Sequence, residues 1–528
     1  MTIFHGTKKS FFVLLIVLSI LILIPSCKKN GPQSSGAAKE IHPRTGVYYS
    51  LFVRSFADSD GDGIGDFNGI SKKLDYLEKL GISGIWLLPI YPSPSYHGYD
   101  VDDYYGVNPQ YGTMQDFENL VSECKKRGIA VMLDITFNHS SSTNPWFIAS
   151  KNPSDPHRDW YHWISKDDTR YNLNQKMWGH NLWNECLGSY YAGEFHDGMP
   201  DFNLDCRELR EELKKVLAFW TEKGVSGFRF DAAGHIYDKV KMPADFTDST
   251  KSAADFWKEM LDYLKSINPS TYNVAEVWDN TSVRAQSLAG LDSVFHFDMG
   301  DNYILKAVKE HSAGNNNLAH VLENDFVAYR KYNPDFIDAP FLTNHDQPRI
   351  AGNLKGDVAS LKLAAGMYIL SQGVPFVYYG EEIGMMSGTK DETKRTPLLW
   401  GNGDKAETTW AAEADCVYNT NTVSIKEQLK NKDSLLNYYR RLINFRNSEP
   451  AFNGTLSAFD TGNGAFSSWT MENGDEKVLV IHNVSLENQE LSLPDGYSAS
   501  PIFQGSPVKK SGEKLSIPPQ TTVVFKAE

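Results

Sequence analysis

Three carboxylates and an arginine occupy positions from which they could act together on one substrate. Asp231 and Glu276 each end a short apolar run of the sequence, and Asp346 lies just beyond a third such run. Hydrolysis of a glycosidic bond needs two carboxyl groups, because one attacks the anomeric carbon while the other protonates the departing oxygen. Arg229 lies two residues before Asp231, so on a strand both side chains share a face and the guanidinium favours ionised Asp231. A single acidic residue at the end of a strand usually caps the helix that follows. Capping does not explain three acidic residues that converge on one site.

The elements that must position these residues alternate between short strands and longer helices. From about Gly46 to Glu382, β-branched or aromatic runs are separated by helical patterns, which is typical of β/α units around a parallel sheet. This order predicts an α/β fold, a (β/α)8 TIM barrel, in which chemistry lies at the carboxyl ends of the strands. The predicted strands are Val47–Phe52, Gly84–Pro89, Ala130–Asp134, Gly227–Asp231, Tyr272–Glu276, Ser293–Phe297, Pro340–Asn344 and Val374–Tyr379.

Two regions depart from this alternation. About seventy residues follow the third strand without a β/α rhythm, and a structureless loop of that length is improbable inside a compact domain. We therefore expect a small inserted domain at residues 140–206, between barrel segments at residues 45–139 and 207–448. Short strands between turn sequences at residues 449–528 predict a C-terminal all-β sandwich domain. Trp178, Trp183 and Tyr190 of the inserted domain are expected to line the cleft, with core packing as the alternative for each.

The first residues have the pattern of an export signal. Two lysines precede an apolar run from Phe11 to Ile24, and Cys27 follows shortly afterwards. The run is short for a membrane span, so residues 1–27 are interpreted as a lipoprotein-type signal peptide, with Cys27 as the acylated residue. Ordinary signal cleavage near this point is the alternative. Residues 28–44 form a polar tether, and the expected location is the bacterial envelope, with the membrane as a partner through the lipid anchor.

Charge and cysteine usage narrow the partners further. A net charge of −14 without a dense basic cluster argues against nucleic acid as a partner. Four cysteines remain besides Cys27, too few for a disulfide framework, although Cys186 and Cys206 flank one loop-rich segment and could pair. No sequence feature specifies an oligomeric state.

A short acidic loop after the first strand predicts a calcium site. Acidic side chains alternate with glycines there, in the spacing that calcium loops use, and a cation would relieve their mutual repulsion. The alternative is a solvated acidic turn. The candidate ligands are Asp58, Asp60, Asp62, Asp66 and the backbone carbonyl of Ile64.

Four segments of the chain resemble the conserved motifs of the α-amylase family of glycoside hydrolases. All four occur in the family's order and on the expected strands, and the resemblance covers nearly the whole chain after the tether. The segments are Asp-Ile-Thr-Phe-Asn-His at 134–139, Gly-Phe-Arg-Phe-Asp at 227–231, Ala-Glu-Val-Trp at 275–278 and Thr-Asn-His-Asp-Gln at 343–347.

The resemblance implies a role for each matched residue. It implies Asp231 as the nucleophile of a retaining mechanism, Glu276 as the general acid/base, and Asp346 as a third carboxylate that holds the sugar hydroxyls. Residues implied to line the cleavage subsite are His97, Tyr99, His139, Arg229 and His345. The resemblance also implies a second calcium site, between the barrel and the inserted domain, at the positions of Asn138, Asp201 and His235.

Residues around the glucan indicate the kind of family member. Chain-end glucosidases typically carry an Asp where this chain has Tyr96, which favours an open cleft. Met199–Asn203 is similar to a segment of bacterial secreted α-amylases intermediate between oligo-1,6-glucosidases and neopullulanases. We therefore expect an endo-acting α-amylase on α-1,4 bonds of starch, glycogen-like glucans and maltooligosaccharides. A neopullulanase- or cyclomaltodextrinase-like enzyme, or a transglycosylating one, is the alternative, and a non-catalytic glycan-binding protein is a third.

Overall fold

The computed structural model describes residues 39–314 and 318–528. The predicted signal peptide, the predicted lipid site at Cys27 and the predicted tether as far as residue 38 lie outside the described residues. Among the residues described, no helix combines the length and the apolar character that crossing a bilayer requires.

Eight parallel strands form the barrel, and this confirms the predicted fold. The first seven strands pair in sequence order around the sheet, and the first strand also pairs with the eighth. A parallel bridge between Phe341 and Phe376 brings the segment after the seventh strand against the eighth. The strands are Tyr48–Leu51, Gly84–Leu87, Ala130–Thr136, Gly227–Asp231, Val274–Ala275, Ser293–Phe295, Ile337–Ala339 and Phe376–Tyr378.

The seventh strand differs from its predicted position. It was expected at Pro340–Asn344, but it lies at Ile337–Ala339. Proline has no backbone N–H to donate, so Pro340 ends the ladder rather than beginning it. The residues beyond Pro340 are left in an irregular segment, which carries the candidate site residue Asp346.

The barrel helices begin and end at clear sequence signals. The Asp66 side chain caps the first of them by accepting from the N–H of Gly69, and Gly81 ends it in the left-handed conformation. Thr113 and Asp116 cap the second reciprocally. The long helices are Phe67–Leu80, Met114–Arg127, Arg207–Glu222, Ser249–Ile267, Thr281–Ser287, Leu318–Arg330, Val358–Ile369 and Leu435–Ser448, and the short ones are Val53–Phe56, Pro145–Ser150, Leu305–Glu310, Ile350–Asn353, Asp391–Lys394, Glu413–Cys416 and Ile425–Gln428.

The insertion after the third strand is a small β unit with its own core. Trp163–Ser165, Ser189–Ala192 and Trp183–Cys186 form an antiparallel sheet, and Lys176–Met177 pairs with His180–Asn181. Trp183 is buried in the core of this unit, and Tyr190 packs against that core. The interpretation of these two aromatics as cleft walls is therefore wrong for Trp183 and unsupported for Tyr190.

The C-terminal region is all β, as predicted. One sheet contains the strands Thr455–Ala458, Phe466–Asn473, Glu476–Asn483, Thr521–Lys526 and Phe503–Gln504 in that order, and the other contains Gln489–Leu491, Lys514–Ile517 and Lys509–Ser511. The indole of Trp469 donates to the carbonyl of Leu370 across 3.1 Å. A Cβ on Gly366 would lie 2.2 Å from the hydroxyl of Thr522. The barrel helix Val358–Ile369 thus packs closely against this region.

The pairing that the sequence allows between Cys186 and Cys206 does not occur, because every cysteine in the described residues is free. Cys186 ends a hairpin strand of the inserted unit. Cys206 precedes the helix Arg207–Glu222, where its sulfur contacts Glu208. The fold of the insertion instead depends on the hydrophobic core and the backbone ladders of that unit.

Candidate active site

A single buried guanidinium joins three carboxylates at the carboxyl end of the barrel. Nη1 of Arg229 lies 2.8 Å from Asp134 Oδ1 and 2.6 Å from Asp231 Oδ1, and Nη2 lies 3.0 Å from Glu276 Oε2. Arg229 is fully buried, so these ion pairs act with little screening by water. The planar fork of arginine suits such multiple binding, which one ammonium could not provide.

Strand register explains this convergence. Arg229 pairs in register with Asp134 on the third strand and with Val274 on the fifth. Glu276 directly follows the fifth strand, and its carboxylate accepts from the backbone N–H of Ala232 at 2.9 Å. A Cβ on Gly227 would lie 1.7 Å from the carbonyl oxygen of Tyr272. Only glycine therefore allows the fourth and fifth strands to approach closely enough at this level.

Asp346 lies on the opposite side of the network, reached through two aromatic rings. The hydroxyl of Tyr99 contacts Asp134 Oδ2 at 2.9 Å and His345 Nε2 at 2.5 Å. His345 Nε2 in turn lies 3.1 Å from Asp346 Oδ2. Arg395 holds the second oxygen of Asp346 at 2.9 Å. The three predicted catalytic acids are thus tied to one continuous network.

The pair His97 and Tyr99 flanks a turn that requires glycine. Gly98 has φ of +83°, a backbone conformation that L-residues other than glycine rarely adopt. This turn places the two rings 6.0 Å apart at an interplanar angle of 27°. Tyr99 also stacks on His345, with an interplanar angle of 7°. The predicted sugar-contacting residues therefore do come together.

Two buried histidines offer free ring nitrogens. Nε2 of His139 and Nδ1 of His345 have no hydrogen-bond partner within the described chain. Burial lowers the pKa of His139 to about 3, and burial also holds the pKa of His345 well below its ordinary value. Both imidazoles are neutral near pH 7, and their free nitrogens suit sugar hydroxyl groups, which donate and accept hydrogen bonds.

The carboxyl groups divide into two kinds. Burial raises the pKa of Asp231 and of Glu276 to about 7, against the opposing effect of Arg229. Burial also opposes ionisation of Asp346, but His345 and the nearby cationic residues lower its pKa below the ordinary value. Asp231 and Glu276 therefore hold a proton between them near neutral pH. The 2.6 Å contact with Arg229 favours the charged form on Asp231.

Two tryptophans, one in the inserted unit and one after the fifth strand, have largely exposed side chains. Trp178 of the inserted unit is 62% exposed, with its ring 5.7 Å from that of His235. Trp278, two residues after Glu276, is 53% exposed and stacks on Phe297 at 4.6 Å. Exposed indoles held by neighbouring rings present flat faces for stacking.

We expect Trp178→Ala to raise KM for maltooligosaccharides several-fold with little change in melting temperature, because the indole is exposed. Trp183→Ala is the matched variant, and it should lower the melting temperature, since it opens a cavity in the small core. Steady-state kinetics and thermal denaturation measure both effects. An unchanged KM in the Trp178 variant would remove this side chain from the substrate cleft.

The acidic loop brings three of its five candidate ligands together. Carboxylate oxygens of Asp58, Asp60 and Asp66 lie within 4.8 Å of one another. The carboxylate of Asp62 is not in this cluster and instead accepts from the N–H of Ile64 at 2.7 Å. The three clustered groups offer only hard oxygen donors, which fit calcium.

The second predicted calcium position contains a lysine. Asn138 and Asp201 do approach each other, but the ammonium of Lys241 lies 2.6 Å from Asn138 Oδ1 and 3.8 Å from Asp201 Oδ2. His235 faces Glu194, with Nδ1 2.7 Å from Oε1. These residues do not fit a metal, because their oxygens are directed to a protein cation.

Asp134 begins the first matched motif, and it lies within the third strand rather than at its predicted end. Three more residues lie in or beside the network although the sequence predicts no role for them there. Trp86 donates to Asp134 at 3.1 Å, and Arg395 and Lys241 reach Asp346 and Asn138 through contacts distant in sequence.

An α/β barrel with carboxyl groups gathered around one arginine at its carboxyl end has the architecture of a glycoside hydrolase. Residues 50–454 match the family described as alpha amylase, catalytic domain. Residues 467–524 match the C-terminal domain described for alpha-amylase SusG. The chain belongs to the α-amylase family of glycoside hydrolases.

Relatives within the family carry different names. The chain is 38% identical to alpha-amylase 3 of Dictyoglomus thermophilum, over 92% of this chain and 93% of that protein. It is 30% identical to glucan 1,6-alpha-glucosidase of Streptococcus pneumoniae, over 90% and 97%. The crystal structure of an alpha-amylase from H. orenii superposes with a TM-score of 0.83 at 36% identity, over 92% of this chain and 100% of that one.

Proposed function

We propose that the protein is a retaining, endo-acting α-amylase that cleaves α-1,4-glucosidic bonds in starch, glycogen-like glucans and maltooligosaccharides. The observation that carries this proposal is the binding of Asp231 and Glu276 to the two terminal nitrogens of Arg229. This contact fixes two carboxyl groups side by side at the end of the barrel. Such an arrangement suits a double displacement with a covalent intermediate.

The proposed reaction assigns one step to each carboxyl group. Asp231, kept ionised by Arg229, attacks the anomeric carbon while Glu276 gives its proton to the leaving oxygen. Glu276 then removes a proton from the incoming water, which releases the sugar from Asp231. Asp346, with its lowered pKa, accepts hydrogen bonds from sugar hydroxyls. His97, His139 and His345 form hydrogen bonds with hydroxyl groups of the sugar ring at the cleavage point, and Tyr99 stacks on that ring.

The residue at position 96 supports internal cleavage. Tyr96 occupies the position where chain-end glucosidases typically carry an acid. Its ring stacks on Trp410 at 5.4 Å, and its hydroxyl accepts from Arg395 at 3.3 Å. No carboxylate stands at this position to hold a terminal sugar, so a longer glucan can continue past it.

Separation of the products from starch, pullulan and maltoheptaose tests this function. An α-amylase should release mixed maltooligosaccharides from starch early in the reaction and leave pullulan largely intact. Asp231→Asn serves as the inactive control. Glucose as the sole early product, or rapid release of panose from pullulan, would contradict the assignment.

A transglycosylating or neopullulanase-like activity is the second candidate, and the exposed face of Trp278 favours it. An indole beside the general acid can hold an acceptor sugar, which then competes with water for the covalent intermediate. Products longer than the supplied maltoheptaose would identify this activity, and their absence at high substrate concentration would exclude it.

We also propose that the acidic loop binds calcium through Asp58, Asp60 and Asp66 as a stabilising ion. The loop precedes the helix Phe67–Leu80, and Asp66 also caps that helix. A cation held there would offset the repulsion among the clustered carboxylates. The loop supplies no acid to the catalytic network, so the expected role is stability.

Chelation should therefore lower the melting temperature, and added calcium should restore it, because calcium binds only the folded state. Turnover at low temperature should be largely kept. Asp60→Asn combined with Asp62→Asn should weaken this response by removing two charges, whereas Asp245→Asn, outside the loop, should not. If wild type and the double variant melted alike with calcium and with chelator, the loop would be an acidic turn without a metal.

A further inference from the structure

One lysine is buried completely at the junction between the barrel and the inserted unit. The side chain of Lys241 has no exposed surface. Its ammonium lies 2.6 Å from Asn138 Oδ1, 3.0 Å from Glu194 Oε2 and 3.8 Å from Asp201 Oδ2. Lysine is almost never fully buried unless it is paired. The ammonium therefore has a specific role in holding these groups.

These contacts join three separate segments of the chain. Asn138 follows the third barrel strand, Glu194 and Asp201 belong to the insertion, and Lys241 lies in the turn Lys239–Lys241 beyond the fourth strand. The amide of Asn138 also donates to Asp201 Oδ1 at 3.2 Å. A metal ion shared by barrel and insertion would connect the same segments.

Two carboxylates supply the negative charge that the buried ammonium of Lys241 needs. Glu194 lies 3.0 Å and Asp201 3.8 Å from its nitrogen. A calcium ion bound to the same oxygens would lie against this ammonium, and the two positive charges would repel each other strongly in a buried site. The lysine and the metal are therefore mutually exclusive.

The adjacent group of Glu194, His235 and Asp238 does not provide an alternative metal site. His235 Nδ1 lies 2.7 Å from Glu194 Oε1 and 3.6 Å from Asp238 Oδ2, so these donor atoms already contact one another. A cation bound to Glu194 would again lie close to the ammonium of Lys241, which is 3.0 Å from Glu194 Oε2, and the two positive charges would repel each other.

We propose that Lys241 is a built-in cation that replaces the metal ion at this junction and positions His139 through Asn138 and Asp201. His139 follows Asn138 directly, and its backbone forms an antiparallel bridge with Asp201. The Asn138 amide also lies 3.3 Å from His139 Nδ1. The lysine thus acts as a positioning residue for a ring that lines the candidate cleavage subsite.

The test compares Lys241→Ala, Lys241→Met and wild type as full chains, with Lys239→Ala as the control for an exposed lysine of the same turn. Melting temperature, kcat and calcium bound per chain after dialysis are measured with calcium and with chelator. In chelator, both Lys241 variants should melt about 5 °C or more below wild type, and the control should match wild type. The acidic loop is unchanged in every variant, so any calcium that it binds affects all of them alike and cancels when a variant is compared with wild type.

Calcium should separate the two variants. The alanine variant leaves space beside Asn138, Glu194 and Asp201, so it should bind one more calcium per chain than wild type. Added calcium should also raise its melting temperature and its kcat by more than it raises those of wild type. The methionine variant fills the space without a charge and should recover neither. Equal calcium content in wild type and Lys241→Ala, without such recovery, would overturn the proposal.

An alanine variant that does not fold in chelator still gives an answer. Refolding it with and without calcium makes the same distinction, because recovery only with calcium supports the proposal and failure in both conditions contradicts it. Melting temperature and calcium content do not depend on which glucan the enzyme cleaves, so these two readouts are independent of the proposed function.

Discussion

Asp231→Asn is expected to reduce kcat on starch by a factor on the order of 10⁴, and Glu276→Gln should cause a loss of similar order. An amide cannot attack the anomeric carbon in place of Asp231, and it has no proton to give in place of Glu276. Both variants should fold, because each amide can still accept a hydrogen bond from Arg229. Steady-state rates of the purified variants measure the effect, and Glu222→Gln on an exposed helix end is the matched control.

The two variants should differ in one respect. A substrate with a good leaving group, such as a nitrophenyl maltoside, needs little protonation by an acid. With this substrate, the rate of the first step should recover largely in Glu276→Gln and not at all in Asp231→Asn. Near-normal turnover of starch by either variant would refute the assignment. So would an initial β-anomer in the NMR spectrum of the products, because double displacement retains the α configuration.

Arg229→Met is the second variant for which we expect a large effect. It leaves Asp134, Asp231 and Glu276 buried around an uncharged side chain, and breaking a buried ion pair in this way typically costs about 3–5 kcal/mol of folding stability. Activity should fall as well, because Asp231 would lose the charge that keeps it ionised. Arg229→Lys should rescue only part of this loss, since one ammonium cannot bind three carboxylates in the same geometry. Denaturant unfolding measures the stability term.

The penalty in Arg229→Met should depend on pH. Without the guanidinium, the folded-state pKa values of the three acids rise further above their unfolded values, so the folded state binds more protons than the unfolded state. Stability then falls as pH rises towards the folded pKa values. The variant should therefore be closer to wild type at pH 5 than at pH 8. A stability difference that is the same at both pH values would show that the buried acids are not the cause.

The barrel and its acids could be predicted because their signals are local. Strand-length apolar runs, helix caps such as Asp66, and motif residues such as Asp231 and Glu276 are visible within a few positions. The seventh strand begins three residues before its predicted position, because Pro340 has no N–H to donate and ends the ladder there.

The parts that could not be predicted depend on contacts between distant segments. Arg395 reaches Asp346 across 49 residues, and Lys241 reaches Asn138 across 103 residues. The hydrophobic pattern of the sequence does not indicate contacts between residues this far apart in the chain. Trp178 and Trp183 look equivalent in the sequence, but one is exposed and the other lies in a core, and only the folded insertion distinguishes them. The lipid anchor at Cys27 and the bound calcium stay predictions.

The close packing of the C-terminal strands on Val358–Ile369 affects how this chain can fold during its synthesis. Nine of the twelve residues of this helix are buried, and its neighbour Thr521–Lys526 is synthesised long after it. The barrel is complete in sequence well before that strand exists, so the nascent chain presents an apolar helix surface until the strand is made. Truncation before residue 521 should therefore give an aggregation-prone barrel rather than a smaller enzyme.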